Sequence, residues 1–128
     1  MNSIIIFQAL ESRWSPESWA VENGADRGKG GEFVVEGVAG WVSVVQDKDL
    51  VNDYDLREMD LVRKLIPEFN AYVIEWRGDD LMSDLLNSAP FGHFALVDND
   101  HGLLVPFGDI RDIPCRFWVQ SNKLEKWR

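Results

Sequence analysis

A chain of 128 residues, 45% hydrophobic and 27% charged, is long enough to bury a core and too apolar for the disordered class. Acids outnumber bases 22 to 13, and the formal net charge of -9 opposes nucleic-acid binding, which relies on Lys and Arg displacing counterions from phosphates. No apolar run approaches the roughly 18 residues of a membrane span, and the lone Cys115 excludes an internal disulfide framework.

In chain order, Met1 to Leu10 contains the apolar run Ile4-Ile5-Ile6-Phe7 but lacks the basic start, longer apolar stretch and cleavage site of a signal peptide, so Asn2 to Gln8 reads as a buried strand. Ser12 to Gly31 reads as a loop because of its glycines, with room for one helical turn in which Ser15 is the N-cap and Pro16 the first helical residue. Glu32 to Gln46 alternates and is rich in valine. It is either one bent strand or two strands joined near Val38-Ala39-Gly40.

Asp53 to Ile66 carries the clearest helical pattern. Asp55 and Glu58 stand at capping-box spacing, Leu56, Met59, Val62, Leu65 and Ile66 recur at helical intervals, and Pro67 ends the run. Asn70 to Trp76 returns to a strand that Gly78 breaks. Asp79 or Asp80 then caps a short helix with Leu81, Met82, Leu85 and Leu86 on one face, closed by Ala89-Pro90. His93 to Val97 and Gly102 to Phe107 form the arms of a hairpin around Asp98-Asn99-Asp100-His101, and Arg116 to Gln120 reads as a last strand. Without regular βα alternation, the order predicts one α+β domain over residues 1–128: an antiparallel or mixed sheet with two main helices packed on it.

The chain has two histidines and one cysteine, and none of the common nucleophile, zinc or nucleotide motifs. Cys115 served by His93 or His101 is a possible nucleophile on paper, but a small thiol between Pro114 and an apolar segment reads first as core. Asp98, Asp100 and His101 bring oxygen and imidazole ligands together without the further ligands of a calcium loop or a zinc site, so a polar hairpin tip is the simpler reading. Glu75, Asp79, Asp80 and Asp84 contain paired carboxylates, yet acids at a helix start serve the free N–H groups and the dipole. Of six tryptophans, Trp41, Trp76 and Trp118 lie in strand patterns and are expected in the core. Trp14, Trp19 and Trp127 lie in a loop and the tail, with packing onto the body the favoured role.

The charge is concentrated. Residues 47–60 hold six acids and two bases, residues 75–100 hold six acids and one base, and the tail carries Arg111, Arg116, Lys123, Lys126 and Arg128 against Asp112 and Glu125. A cationic partner is the complement of such a surface, and plain solubility is the competing explanation. In this general character, and in the segments Arg77-Gly78-Asp79-Asp80-Leu81 and Val97-Asp98-Asn99-Asp100-His101-Gly102-Leu103, the chain resembles the small acidic immunity proteins of bacterial polymorphic toxin and contact-dependent growth inhibition systems.

One cysteine in a chain of this size fits a reducing compartment, so a cytoplasmic location is expected, and no cofactor or metal is expected either. The resemblance implies a non-enzyme that binds a cognate toxin domain, often a nuclease, and covers its active site or its substrate-binding surface. A nuclease cleft must be basic to hold phosphate, so an acidic inhibitor can steer to it. The candidate partner-binding residues are Asp53, Asp55, Glu58, Asp60, Asp79, Asp80, Asp84, Asp98 and Asp100, with neither nucleic acid nor membrane as partner. The alternative is a small metal-dependent hydrolase built on Asp98, Asp100 and His101, and an acidic adaptor domain is a third reading.

Overall fold

In the computed structural model, which describes residues 2–12, 14–89 and 95–121, a seven-stranded, wholly antiparallel sheet runs in the order β2-β3-β4-β5-β1-β6-β7. Its strands are β1 (Asn2–Ala9), β2 (Asp26–Arg27), β3 (Phe33–Gly37), β4 (Gly40–Gln46), β5 (Phe69–Arg77), β6 (Ala95–Asp98) and β7 (Leu104–Pro106). Glu32 to Gln46 is thus resolved as two strands around a turn at Val38 and Ala39.

Among the described residues, four helices accompany the sheet: α1 (Pro16–Glu22), α2 (Leu56–Leu65), α3 (Asp79–Asn87) and the four-residue α4 (Phe107–Ile110). The expectation of two main helices undercounts them. Ser15 and Ser18 close a full capping box and Pro16 takes the first helical position, which is enough to nucleate α1 ahead of the glycines. Asp79 and Asp80 do not cap α3. Gly78 is the N-cap, in the left-handed region at φ 97°, and the two aspartates are the first helical residues. No strand forms at Arg116 to Gln120. Pro114 leads into a 3-10 turn over Cys115–Phe117, the Val119 N–H donates to the Cys115 carbonyl, and the Trp118 indole donates to the Ile113 carbonyl at 3.0 Å.

Side chains alternate across the strands, so the sheet carries a core on each face. On one face, Ile4, Ile6, Val35, Val42, Val44, Tyr72, Ile74, Trp76 and Val97 pack with Trp14, Trp19, Met82, Leu85, Leu86, Ile110, Cys115 and Trp118 from α1, α3, α4 and the last described segment. On the other, Phe7, Ala9, Ala71 and Leu96 pack with Leu50 of a 3-10 turn (Leu50–Asp53) and with Met59, Val62 and Ile66 around α2. Trp14 and Trp19 are buried, with the Trp19 indole donating to the Leu85 carbonyl at 3.0 Å. Trp41 is only half-buried, against expectation, because it points to the opposite face from Val42 and Val44. Trp127, His93 and the basic tail residues Lys123, Lys126 and Arg128 lie outside the described residues.

Candidate functional site

The strand register gathers the candidate acids at one end of the sheet. Asn2 of β1 pairs with Trp76 of β5, Trp41 of β4 pairs with Arg77, and Asp98 of β6 pairs with Ile5. Consequently the β3–β4 turn, the β5–α3 junction and the β6–β7 turn all project where β1 begins. Asp79, Asp80 and Asp84 belong to the second of these, Asp98 and Asp100 to the third. Asp53, Asp55 and Glu58 join the same end because Tyr54, just before α2, donates its hydroxyl to Asp98 Oδ2 at 2.5 Å. Among the described residues, no ion pair to a Lys or Arg engages these carboxylates.

The first cleft, about 360 Å³, opens between α2 and the β6–β7 hairpin and is lined by Tyr54, Glu58, Leu61, Val62, Asp98, Asp100, Gly102, Leu103 and Leu104. Asp55 sits at the N-cap of α2, accepting from the Glu58 N–H at 2.8 Å, and so directs Glu58 to the first turn. On the hairpin, Asp98 Oδ1 accepts the Asp100 N–H at 2.8 Å, and Asp100 adopts φ 61°, a region that Asp tolerates.

Asn99 fixes this hairpin from inside. Its amide donates to the Trp118 and Ser121 carbonyls at 2.7 Å each, while its Oδ1 accepts from the His101 and Leu103 N–H groups at 2.9 and 3.1 Å. Desolvation, followed by the hydrogen bond to Asp98, pushes the Tyr54 hydroxyl far above its ordinary range, so it stays a proton donor. Glu58 stands at the rim, and its carboxyl is pushed up by desolvation, by the charge of Asp55 and a side-chain hydrogen bond with it, and by the Asp98 charge.

A second cleft, about 350 Å³, lies between the β3–β4 turn and the start of α3, lined by Gly37, Val38, Ala39, Gly78, Asp79, Asp80, Leu81 and Asp84. Its geometry depends on Gly40, whose position leaves no room for a Cβ: one would stand 2.0 Å from the Arg77 carbonyl oxygen. Val38 at the turn is fully exposed. Asp79 is not a free contact residue, because its Oδ1 accepts from the Trp76 indole at 2.8 Å and from the Asn2 amide at 2.9 Å. Asp80 and Asp84 are exposed.

No family model, curated protein or solved structure matches this chain. The geometry alone therefore sorts the candidates. Glu58, Asp98 and Asp100 converge on the first cleft, and Asp79, Asp80 and Asp84 on the second. Asp53 and Asp60 are exposed and line neither, while Asp55 acts through the α2 cap. Glu75 does not join Asp79, Asp80 and Asp84, since it shares its face of β5 with Val73 and α3 packs against the face of Trp76.

Among the described residues, no group of three or more His, Cys, Asp or Glu side chains is placed to hold a metal ion. His101 is exposed, whereas Cys115 is fully buried, and desolvation pushes its thiol up to about 11. No described helix is long and apolar enough to cross a membrane.

Sequence reasoning did not place Tyr54, Leu61, Leu103 or Leu104 at a site. Tyr54 carried a legible signal, as an aromatic just before the Asp55 N-cap and five residues ahead of buried Met59, the spacing of a hydrophobic staple. Leu61 was obscured because α2 is apolar on more than one side. Met59, Val62 and Ile66 are buried, but Leu56, Leu61 and Leu65 are 83%, 51% and 54% exposed, so Leu56 and Leu65 are not part of the core face their spacing implied.

Proposed function

We propose that this chain is a non-enzymatic inhibitor that binds and neutralises a cationic partner protein, in the manner of an immunity protein acting in the cytoplasm on a toxin domain such as a nuclease. The observation that carries the reading is the convergence, on two clefts at one end of the sheet, of carboxylates that no Lys or Arg among the described residues engages in an ion pair. Carboxylates that stabilise a fold are usually capped, hydrogen-bonded or paired, and here Asp55 and Asp79 play such parts. Glu58, Asp80, Asp84 and Asp100 stand at that end with no Lys or Arg ion-paired to them among the described residues, an arrangement that steers and holds a basic surface. The two clefts and the exposed Val38, Leu61 and Leu65 add apolar contact area beside the charge, which gives a protein interface its core.

The test uses the purified chain as bait in a bacterial lysate at low and moderate salt, followed by assay of what it retains. The expected result is stoichiometric capture of one basic domain, a nuclease in the simplest case, whose activity disappears on binding. Asp80→Lys with Asp84→Lys should weaken capture and flatten its salt dependence, and Asp79 is left intact because it supports Trp76. Retention of no basic protein at low salt, or an unaltered activity in the captured one, would overturn the reading.

A further inference from the structure

We infer that the cleft between α2 and the β6–β7 hairpin is an anchor site for one arginine or lysine side chain of the partner, with Leu61 and Leu65 of α2 taking apolar residues beside it. This rests on the cationic-protein reading above and names where on the surface that reading is carried out.

The size and lining of the cleft fit a long basic side chain. About 360 Å³ accommodates one such side chain, well short of a folded element. Val62, Leu103 and Leu104 provide an apolar wall, suited to the methylene stem of Lys or Arg, which buries readily while its charged head stays near polar groups. Glu58 enters from α2, and Asp98 and Asp100 from the hairpin, so a cation placed between them meets carboxylates from two separate elements.

Asp98 is already oriented, with one oxygen held by the Tyr54 hydroxyl and the other by the Asp100 N–H. Orientation before binding removes part of the ordering cost that an exposed ion pair ordinarily carries. The surroundings extend the match beyond charge. Leu61 lines the cleft and Leu65 follows one helical turn later, and each is about half exposed, at 51% and 54%. A basic residue flanked by apolar ones satisfies both parts of this surface, which neither a free metal ion nor a phosphate backbone does.

The experiment is a titration of the ¹⁵N-labelled full chain with the capped tripeptide Leu-Arg-Leu, against the same peptide with citrulline in place of arginine. Saturable shifts are expected at the amides of Asp100, Gly102, Leu104 and Leu61, lost with citrulline and weakened about tenfold in Glu58→Gln with Asp100→Asn. The citrulline arm needs no variant and stands even if the double variant folds poorly. Equal cleft shifts with both peptides would make this an apolar groove and overturn the inference. Arginine-dependent shifts centred on Asp80 and Asp84 would also overturn it while leaving a cationic partner in place. No arginine-dependent shift anywhere at low salt would sink both readings. Cleft shifts that follow protein concentration alone would assign the groove to a second copy of the chain, again against the inference.

Discussion

Replacing Asn99 by alanine tests whether one buried amide holds the acidic hairpin in place. Its side chain, 1% exposed, makes four hydrogen bonds, two as donor to the Trp118 and Ser121 carbonyls and two as acceptor from the His101 and Leu103 N–H groups. His101 and Ser121 retain access to water, so their groups can be rehydrated. The Trp118 carbonyl keeps the Ser121 N–H at 3.2 Å, whereas the N–H of buried Leu103 is stripped of its partner, which costs about 1–3 kcal/mol.

That group, together with the small void left by the amide, gives a loss of about 2 kcal/mol, or a fall in Tm of about 7 °C for a chain of this length. Urea and thermal unfolding followed by tryptophan fluorescence would measure it, with Gln120→Ala, at an exposed site, as the neutral control. A loss below about 1 kcal/mol would refute the reasoning.

Asn99→Asp sharpens the test. It keeps the acceptors but turns a carboxylate toward the Trp118 and Ser121 carbonyls. Burial against two oxygens raises the folded-state pKa above the unfolded one, so stability is retained at low pH and lost as pH rises. The variant should approach the wild type near pH 4 and fall well below it at pH 7.

Cys115, pushed up to about 11 by burial, supplies stability that is complete below the thiol's unfolded pKa and declines as pH rises toward 11, by up to about 3 kcal/mol. Urea midpoints from pH 8 to 11 should therefore fall more steeply for the wild type than for Cys115→Ala, and parallel curves would contradict the burial argument. Gly40→Ala should cost about 2–3 kcal/mol in denaturant melts, since the new Cβ meets a backbone oxygen that cannot swing aside, whereas Gly108→Ala meets nothing within 4 Å and should be nearly neutral. Asp79→Ala should lose about 2 kcal/mol more than Asp80→Ala, because only the former strands the buried Trp76 indole N–H; equal losses would show that the Trp76–Asp79 bond contributes nothing.

The legible parts of the fold were those in which local chemistry and tertiary packing agree. Asp55 before an apolar 3.6-residue rhythm, Ser15-Pro16 ahead of Trp19, and the Asn-Asp turn around residue 99 each specify a boundary through their own hydrogen bonds. Where packing decides, the sequence was ambiguous. Valines on both sides of β4 conceal which face is buried, which is why Trp41 reads as core and stands half-buried. The segment after Pro114 is apolar enough for a strand, but β7 ends at Pro106 and the indole of Trp118 turns back to Ile113, so the chain coils instead.

The candidate acids were legible as charge, since their excess over bases is a property of composition. Their division into contact residues and supports was not. That Asp79 serves Trp76 and Asn2, or that Tyr54 reaches Asp98, depends on partners that are neighbours only in space.

The placement of β1 also governs the order in which the molecule can be made. Ile5 pairs with Val73 on one side and with Asp98 on the other, so β1, synthesised before both of its neighbours, becomes an interior strand of the finished sheet. Until β5 and β6 have been synthesised, its run of isoleucines has two open edges and no cover, a state prone to mispairing with other chains. Closure of the sheet waits on contacts far apart in sequence, which slows folding relative to a protein of local hairpins. A nascent chain of this kind is therefore most vulnerable during the interval between emergence of β1 and arrival of the acidic hairpin that completes its second edge.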